Sequence, residues 1–443
     1  MAIPATCVWE VRPTNGTANA GGGFDPAVAS PGTDFSQQDA VQVAYTDLVI
    51  GASNTLTSAA TPFTSADVGN NIAITGGTGF TTGIYNIRSY AASAVTLDRS
   101  PGTLASTGGT GNLGGARKGI VGGTTTLASS VVAGNIVWIK NEAWNEAVQM
   151  AVAGSTGNPI TFEGYNTSRG DSPTGSNRPR LNRGGAAGNA IGGSLGDLIF
   201  KNIWVSNVGG TGGWNNTTST CVFINCRSSN NTGYGFNVAG IKINCEADNN
   251  TGSGFGAAAS TSRGLIGCYA HDNSGVGITF VANNEAAIFS ISEANSSHGI
   301  SLSTSTNMVF GCTINGNTGA STDGLNSSGI TPAGSSFYNN IISNNGRYGA
   351  NTTDGDSATA NYNNYYGNGT SARNNFPTGP NDIALDPGFT NAANGDFSVG
   401  TNMKAVGFPG IFPSGASTGY LDIGAVQRQE PSSGGGESVY SFG

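Results

Sequence analysis

Charge is scarce in this chain of 443 residues: Asp, Glu, Lys and Arg together make up 10% of it. The ionisable side chains therefore stand out where they gather, and they gather in four short stretches. Arg227 and Ser229 lie in the first, Glu246 and Asp248 in the second, Tyr269 and His271 in the third, Ile291 and Glu293 in the fourth. If each stretch is a strand and the four stack in register, rungs lie about 4.8 Å apart. Asp248, His271 and Glu293 then form one vertical row, and Arg227, Glu246 and Tyr269 the row beside it. Paired carboxylates with a histidine can do acid–base work on a glycosidic bond, so Asp248, His271 and Glu293 are the catalytic candidates. Arg227, Glu246 and Tyr269 are the ligand-binding candidates. The plain alternative is that an outward strand face in water must be polar, and opposite charges on neighbouring rungs simply pair for a few tenths of a kcal/mol.

The stacking that this reading needs is written in a repeat running from about Asp197 to Asn368. Cys226, Cys245, Cys268 and Cys312 mark one column, and five residues after each stands Asn231, Asn250, Asn273 or Asn317. The same frame, counted from Asn202, Ser290, Asn340 and Asn363, adds Asn207, Asn295, Asn345 and Asn368. Start-to-start spacings are 24, 19, 23, 22, 22, 28 and 23 residues. A period in the low twenties means stacked supersecondary units. Two residues before each start stand Phe200, Ile224, Ile243, Ile266, Ile288, Phe310 and Tyr338, and two after stand Trp204, Ser228, Ala247, Ala270, Ser292, Ile314 and Ile342. They alternate with polar or variable residues, the period of two of a strand. No helical spacing recurs, and the frame of leucine-rich repeats is absent. The expected fold is all-β: a right-handed parallel β-helix, a solenoid whose coils each hold about three short strands.

An inward asparagine at each bend can donate to one neighbouring coil and accept from the other, each bond being worth roughly 0.5–1.5 kcal/mol net. Glycines follow at Gly233 and Gly235, Gly252 and Gly254, Gly275 and Gly277, and at Gly299, where tight turning is expected. This repeat with its asparagine ladder resembles the right-handed parallel β-helix superfamily, the pectate-lyase-like fold. GNIVWIKNEAWNEAVQM and GNPITFEGYN, within residues 134–166, are similar to that superfamily's opening coils. LDPGFTN, GDFSV and LDIGAVQ, within 385–427, are similar to its closing segment. The architecture hosts lyases, hydrolases, epimerases, adhesins and phage tailspikes, so the resemblance speaks to fold more than to function. Carboxylates with an arginine could, as in the pectate lyases, bind calcium and take a proton from a uronic acid. That family's calcium aspartates and paired basic residues are not recognisable by motif here, so no catalytic role transfers and no metal or cofactor is expected. An oxygen-rich turn, Asn351–Asp356, could hold calcium, but a lone loop of this kind says little.

Three regions follow. Residues 1–118 read as an N-terminal β-rich cap or attachment module, with strands at TDLVIGAS, NNIAITG, GIYNIRSY and AVTLDRS. The stretch TPFTSADVGNNIAITGGTGFTTGIYNIRSYAASAVTLDRSPGT resembles a small module found ahead of β-helices in tailed-phage proteins. Residues 119–427 are the parallel β-helix, opened by Ile136 and Trp138, then Ile160 and Phe162, pointing inward, and closed by 381–427. A loop carrying Arg169, Arg178, Arg180 and Arg183 could bind an acidic glycan or could be a solvated excursion. Residues 428–443 are a Gly/Ser-rich tail, from which Val439, Tyr440 and Phe442 could dock on a neighbour.

Composition bounds the rest. Glycine is 71 of 443 residues while hydrophobic residues remain at 37%, a mixture suited to many strands and turns. A net charge of -8 argues against nucleic acid as partner. No apolar run of about 18 residues is present for membrane insertion, and the N-terminus does not read as a secretory signal. Cys226, Cys245, Cys268 and Cys312 are expected as free, buried thiols, which fits assembly in a reducing cytoplasm. His298 is expected in a turn, solvated. The leading expectation is therefore a structural protein of a tailed-phage virion: a tail spike, fibre or capsid-surface protein. It would assemble in the host cytoplasm with other virion proteins, form a homo-oligomer such as a trimer, and contact cell-surface glycans. The alternative is a secreted polysaccharide lyase or glycoside hydrolase.

Overall fold

The computed structural model describes residues 3–37, 42–121, 127–216, 218, 220–256, 264–327, 332–353, 358–409 and 421–427. The tail beyond 427 and most of the oxygen-rich turn at 351–356 therefore lie outside the described residues. The chain is all-β and divides into two compact units: residues 1–183 with 190–204, and residues 184–189 with 205–443.

In the first unit, Val43–Ile50, Thr55–Thr57, Ala94–Leu97, Gly83–Ala91, Asn71–Gly76 and Gly109–Leu113 close into an antiparallel barrel in that order. Leu48, Ile50, Leu56, Ile72, Ile87 and Val95 fill it, and Tyr45 stacks on Phe63 at 4.9 Å. All four strands expected in this region are present. Val8–Val11 belongs elsewhere: it pairs in parallel with Ile136–Lys140, which pairs in turn with Ile160–Tyr165. Ile160 and Phe162 point inward as expected. On the preceding rung the phase is reversed, because Val137 and Ile139 are the fully buried residues while Ile136 and Trp138 are only half-buried.

The second unit is a parallel β-helix. Each coil gives one three-residue strand to a first sheet (Val222–Ile224, Ile241–Ile243, Gly264–Ile266, Ala286–Ile288, Met308–Phe310, Ser336–Tyr338) and one to a second (Arg227–Ser229, Glu246–Asp248, Tyr269–His271, Ile291–Glu293, Thr313–Asn315, Ile341–Ser343). A third sheet runs through Tyr234–Val238, Ile278–Phe280 and Ile300–Leu302. The aromatic stack Trp214–Phe236–Phe255 lies inside, with ring centroids 5.9 and 5.0 Å apart. Among the described residues no helix is long and apolar enough to cross a membrane.

The asparagine ladder is continuous over seven coils. Asn231 Nδ2 donates to Asn250 Oδ1 (2.7 Å), and the same bond recurs from Asn250 to Asn273, Asn273 to Asn295, Asn295 to Asn317, Asn317 to Asn345 and Asn345 to Asn368. Each backbone N–H in the ladder donates to the same oxygen, so one carboxamide satisfies groups on both neighbouring coils. Asn207 is not a rung. Val208 takes that place and donates its N–H to Asn231 Oδ1, because the first coil is displaced by one residue against the frame.

Two further expectations are corrected. Apart from Phe200, which is buried on the displaced first coil, the residues two before the cysteine column do not face the core: Ile266 is 40% exposed, and the inward places belong to Phe223, Lys242, Leu265, Ala287, Val309 and Phe337. The reason is a left-handed residue directly before the column, Asn225 (φ 51), Asn244 (φ 52), Gly267 (φ 61) or Phe289 (φ 47), which resets the alternation between the two strands. The glycine column Gly235, Gly254, Gly277 and Gly299 serves close approach rather than left-handed turning. A Cβ on Gly254 would lie 2.8 Å from the amide nitrogen of Asn273, and one on Gly277 2.7 Å from that of Asn295.

All six cysteines are free and buried. Residues 381–409 and 421–427 do more than close the last coil. Val399, Met403 and Ile423 pack on the outer side of Ile341, Ala425 N–H donates to Thr313 Oγ1, and the Phe397 ring meets Tyr269 at 6.5 Å. These described residues thus lie along the outer face of the second sheet at Tyr269, Thr313 and Ile341.

Candidate functional site

The second sheet builds the site, and its register is the one the repeat implies. Arg227 pairs with Glu246, Glu246 with Tyr269, Ser229 with Asp248, Asp248 with His271, and His271 with Glu293. Both vertical rows therefore form, and all six candidate residues come together on one outer face.

Within it almost every ionisable group has found a partner. The Arg227 fork donates to both oxygens of Asp248, Nε to Oδ1 and an Nη to Oδ2 at 2.8 Å each, with Glu246 3.4 Å away. Asp248 also accepts from the Asn249 amide and is 1% exposed; a carboxylate so placed depends on the paired guanidinium. His271 lies between Glu246 (3.4 Å) and Asp272 (2.8 Å) and stacks on the Tyr269 ring at 4.2 Å. Burial opposes its charge, but the bonds to Glu246 and Asp272 outweigh it and hold the imidazole above its ordinary value of 6.5. The Tyr269 hydroxyl donates to Glu293 Oε2 at 2.5 Å. Burial raises the phenol, helped by that carboxylate, and burial raises Glu293 as well. Tyr269 and Glu293 sit at the edge of the returning segment, where a side chain on Gly395 would meet the Tyr269 hydroxyl at 3.3 Å.

Chemically, this gives a histidine whose charged form is favoured, a phenol hydrogen-bonded to a carboxyl, and a guanidinium committed to a carboxylate. Glu246, Asp248 and His271 could bring three ligand atoms within 4.8 Å of one another. Calcium asks for six to eight oxygens, and here the Arg227 fork occupies the Asp248 carboxylate, so the donor set does not fit that ion.

The arginines of the loop have partners within the chain. Arg169 donates to Glu10 and Asp34, Arg180 stacks on Trp204 at 4.2 Å, Arg183 donates to Asn145, and Arg178 is buried. His298 is not simply solvated: its Nδ1 accepts the Asp323 backbone N–H at 3.0 Å. It borders a second ionisable cluster that the repeat frame did not single out. There Asp323, fully buried, accepts a fork from Arg347 at 2.8 and 2.6 Å and a further bond from Asn351. Aligning Gly299, Gly324 and Gly349 instead of the cysteines puts His298 and Asp323 in one column with Tyr348, and Arg347 is the residue before that column.

No protein-family model and no curated protein matches the chain. Among solved structures, the pectate lyase Pel9A aligns with a TM-score of 0.44 and 16% identity, over 69% of this chain and 91% of its own. A rhamnogalacturonan lyase aligns at 0.38 and 11%, over 62% and 86%. The A-module of the mannuronan C-5 epimerase AlgE4 of Azotobacter vinelandii aligns at 0.31 and 14%, over 58% and 78%. The solved structures to which this chain is similar are thus two lyases and an epimerase module that act on polysaccharides by name, while its own parallel β-helix stands on its strand order.

Proposed function

We propose that the chain is a structural protein of a tailed-phage virion, a spike, fibre or capsid-surface protein, whose β-helix contacts host-surface glycans without cleaving them. The observation that supports the non-catalytic part is the self-pairing of the outer cluster: the Arg227 fork engages Asp248 and the Tyr269 hydroxyl engages Glu293, so two of the three catalytic candidates are committed within the chain. Six free, buried thiols suit assembly in a reducing host cytoplasm beside other virion proteins. The phage-like stretch in residues 61–103 supports the same setting. Mass spectrometry of purified particles should find the chain as a stoichiometric component, and its absence there would overturn the virion role. Immobilised chain should retain neutral surface glycans. Glu246→Gln, with the fold intact by circular dichroism, should weaken retention about tenfold, the scale of one hydrogen bond to a charged group.

A second reading, lyase or hydrolase action on a polysaccharide, is favoured by one feature, the phenol–carboxyl pair of Tyr269 and Glu293 beside Arg227 and His271. Ultraviolet absorbance from an unsaturated uronate, or new reducing ends, released from a polysaccharide panel would establish it and displace the binding-only role.

A further inference from the structure

The thiols inside the β-helix take no part in the outer site. Cys226, Cys245 and Cys268 each stand directly before a strand of the second sheet. The register of those strands, Arg227 beside Glu246 beside Tyr269, puts the three cysteines on successive rungs of one column. The backbone ties them rung to rung: Glu246 N–H donates to Cys226 O at 2.9 Å, and Tyr269 N–H to Cys245 O at 2.8 Å. Rungs so paired set the Cα atoms about 4.8 Å apart, within the roughly 4.4–6.8 Å that disulfides span. All three residues are buried, and the Cys245 thiol is hydrogen-bonded to Cys226 on one side and to Cys268 on the other. The sulfurs also donate to main-chain carbonyls, Cys245 to Phe223 O at 3.4 Å and Cys268 to Lys242 O at 3.3 Å. An S–H group is a weak donor, so giving these bonds up costs little. On the next rung the column holds Ser290, whose hydroxyl accepts the Cys268 N–H at 3.1 Å, and Cys312 comes one rung later. Cys312 therefore lies about 10 Å from Cys268, too far for a disulfide.

We propose that Cys245 is an oxidative modification site: a hydroperoxide converts it, with the neighbouring Cys226 or Cys268, into a disulfide that staples two successive coils from inside. The Cys245 sulfur attacks one peroxide oxygen, the O–O bond breaks, and the departing oxygen leaves as water with the thiol proton. Cys245 is then a sulfenic acid. The neighbouring thiol attacks that sulfur, the S–O bond breaks, and its proton leaves with the oxygen as a second water. Two thiols and one peroxide thus give one disulfide and two waters. Cys245 is the centre because it alone touches both other sulfurs, while Cys226 and Cys268 stand two rungs apart. One bond closes, and the thiol left over faces the Cys245 sulfur from the far side, in place to move the disulfide one rung by exchange. The rest of the column shows what this position does. Ser290, Asn340 and Asn363 occupy it on other coils and join rung to rung by hydrogen bonds. Sulfur on three successive rungs supplies the same link in a form that oxidation makes covalent. The inference needs only passage from reducing to oxidising surroundings and stands apart from any role in a virion.

Counting thiols tests this. Full-length chain purified under reductant is treated with hydrogen peroxide, unfolded, alkylated and weighed. A second sample is refolded from urea in mixed reduced and oxidised glutathione, so that its thiols meet an oxidant before they are buried. Alkylatable thiols should fall from six to four, since one bond consumes two, and peptide mapping should find Cys245 in every bridged pair. Cys245→Ser repeats the side chain that Ser290 already places in the column, and it should keep all five of its thiols. Cys312→Ser should still lose two. The oxidised chain should show slower hydrogen exchange at the Glu246 and Tyr269 amides and a folded-to-unfolded ratio in urea about a hundredfold higher than the reduced chain. Six alkylatable thiols in both samples, a bridge that omits Cys245, or equal thiol loss in Cys245→Ser and the parent overturns the proposal.

Discussion

Replacing Asn273 by alanine should cost about 3–5 kcal/mol. Asn273 is fully buried in the middle of the ladder. Its Oδ1 accepts from the Asn250 backbone N–H (3.0 Å) and from Asn250 Nδ2 (2.9 Å), while its Nδ2 donates to Ala247 O and Asn295 Oδ1 (2.9 Å each). Alanine orphans the Asn250 N–H, on a residue that is 1% exposed, at about 1–3 kcal/mol. Asn250 Nδ2 keeps Ser228 O, and Asn295 Oδ1 keeps the Asn273 N–H, so those groups each lose only about 1 kcal/mol. Because coils contact mainly their neighbours, the loss should be local. Urea unfolding should show a lowered midpoint, and hydrogen exchange should accelerate at Asn250 and the flanking rungs while the barrel of residues 43–113 is unaffected. A loss below about 1 kcal/mol, or exchange that rises evenly along the chain, would refute the view that the ladder couples the coils.

Gly277→Ala should be as damaging as a core overpacking mutation, about 1–3 kcal/mol. The new Cβ would meet Ser292 Oγ at 2.1 Å and Asn295 Nδ2 at 2.7 Å. A variant as stable as the parent in urea would show that the column needs glycine for another reason. The two histidines should give pH dependences of opposite sign. The folded value of His271 is raised above 6.5, so its contribution is complete below pH 6.5 and is lost as pH rises through the folded value. His298 is held below 6.5, chiefly by burial, so its contribution is present above pH 6.5 and is lost as pH falls through the folded value. Stability curves of His271→Gln and His298→Gln against the parent should diverge on the alkaline and acid sides of 6.5 respectively; matching curves would remove both attributions.

Much of the fold was legible because a solenoid repeats its own physics. Asn231, Asn250, Asn273 and their successors had to be buried at one bend because nothing else explains a polar residue of one type at a fixed offset. The register of Arg227, Glu246 and Tyr269 followed from the spacing alone, and the structure reproduces it pair by pair. The cysteine column was readable as buried for the same reason. The phase of the flanking strand was not. A single left-handed residue such as Asn225 or Phe289 turns the alternation over, and its φ is not visible in an asparagine or phenylalanine. Ile224 and Ile266 therefore lie on the outer face, and Phe223 and Leu265 are the buried neighbours.

The sequence by itself determined the repeat, the parallel stacking and which side chains share a rung, since these depend only on spacing along the chain. Only the tertiary structure decided which of those side chains are free to act. Asp248 is silenced by a fork from the neighbouring rung. Tyr269 is drawn against Phe397 by a segment about 130 residues later. His298 is tied to the backbone of Asp323 one coil on. Such pairings depend on side-chain reach across coils and on where the closing segment lies, and a one-dimensional period carries neither.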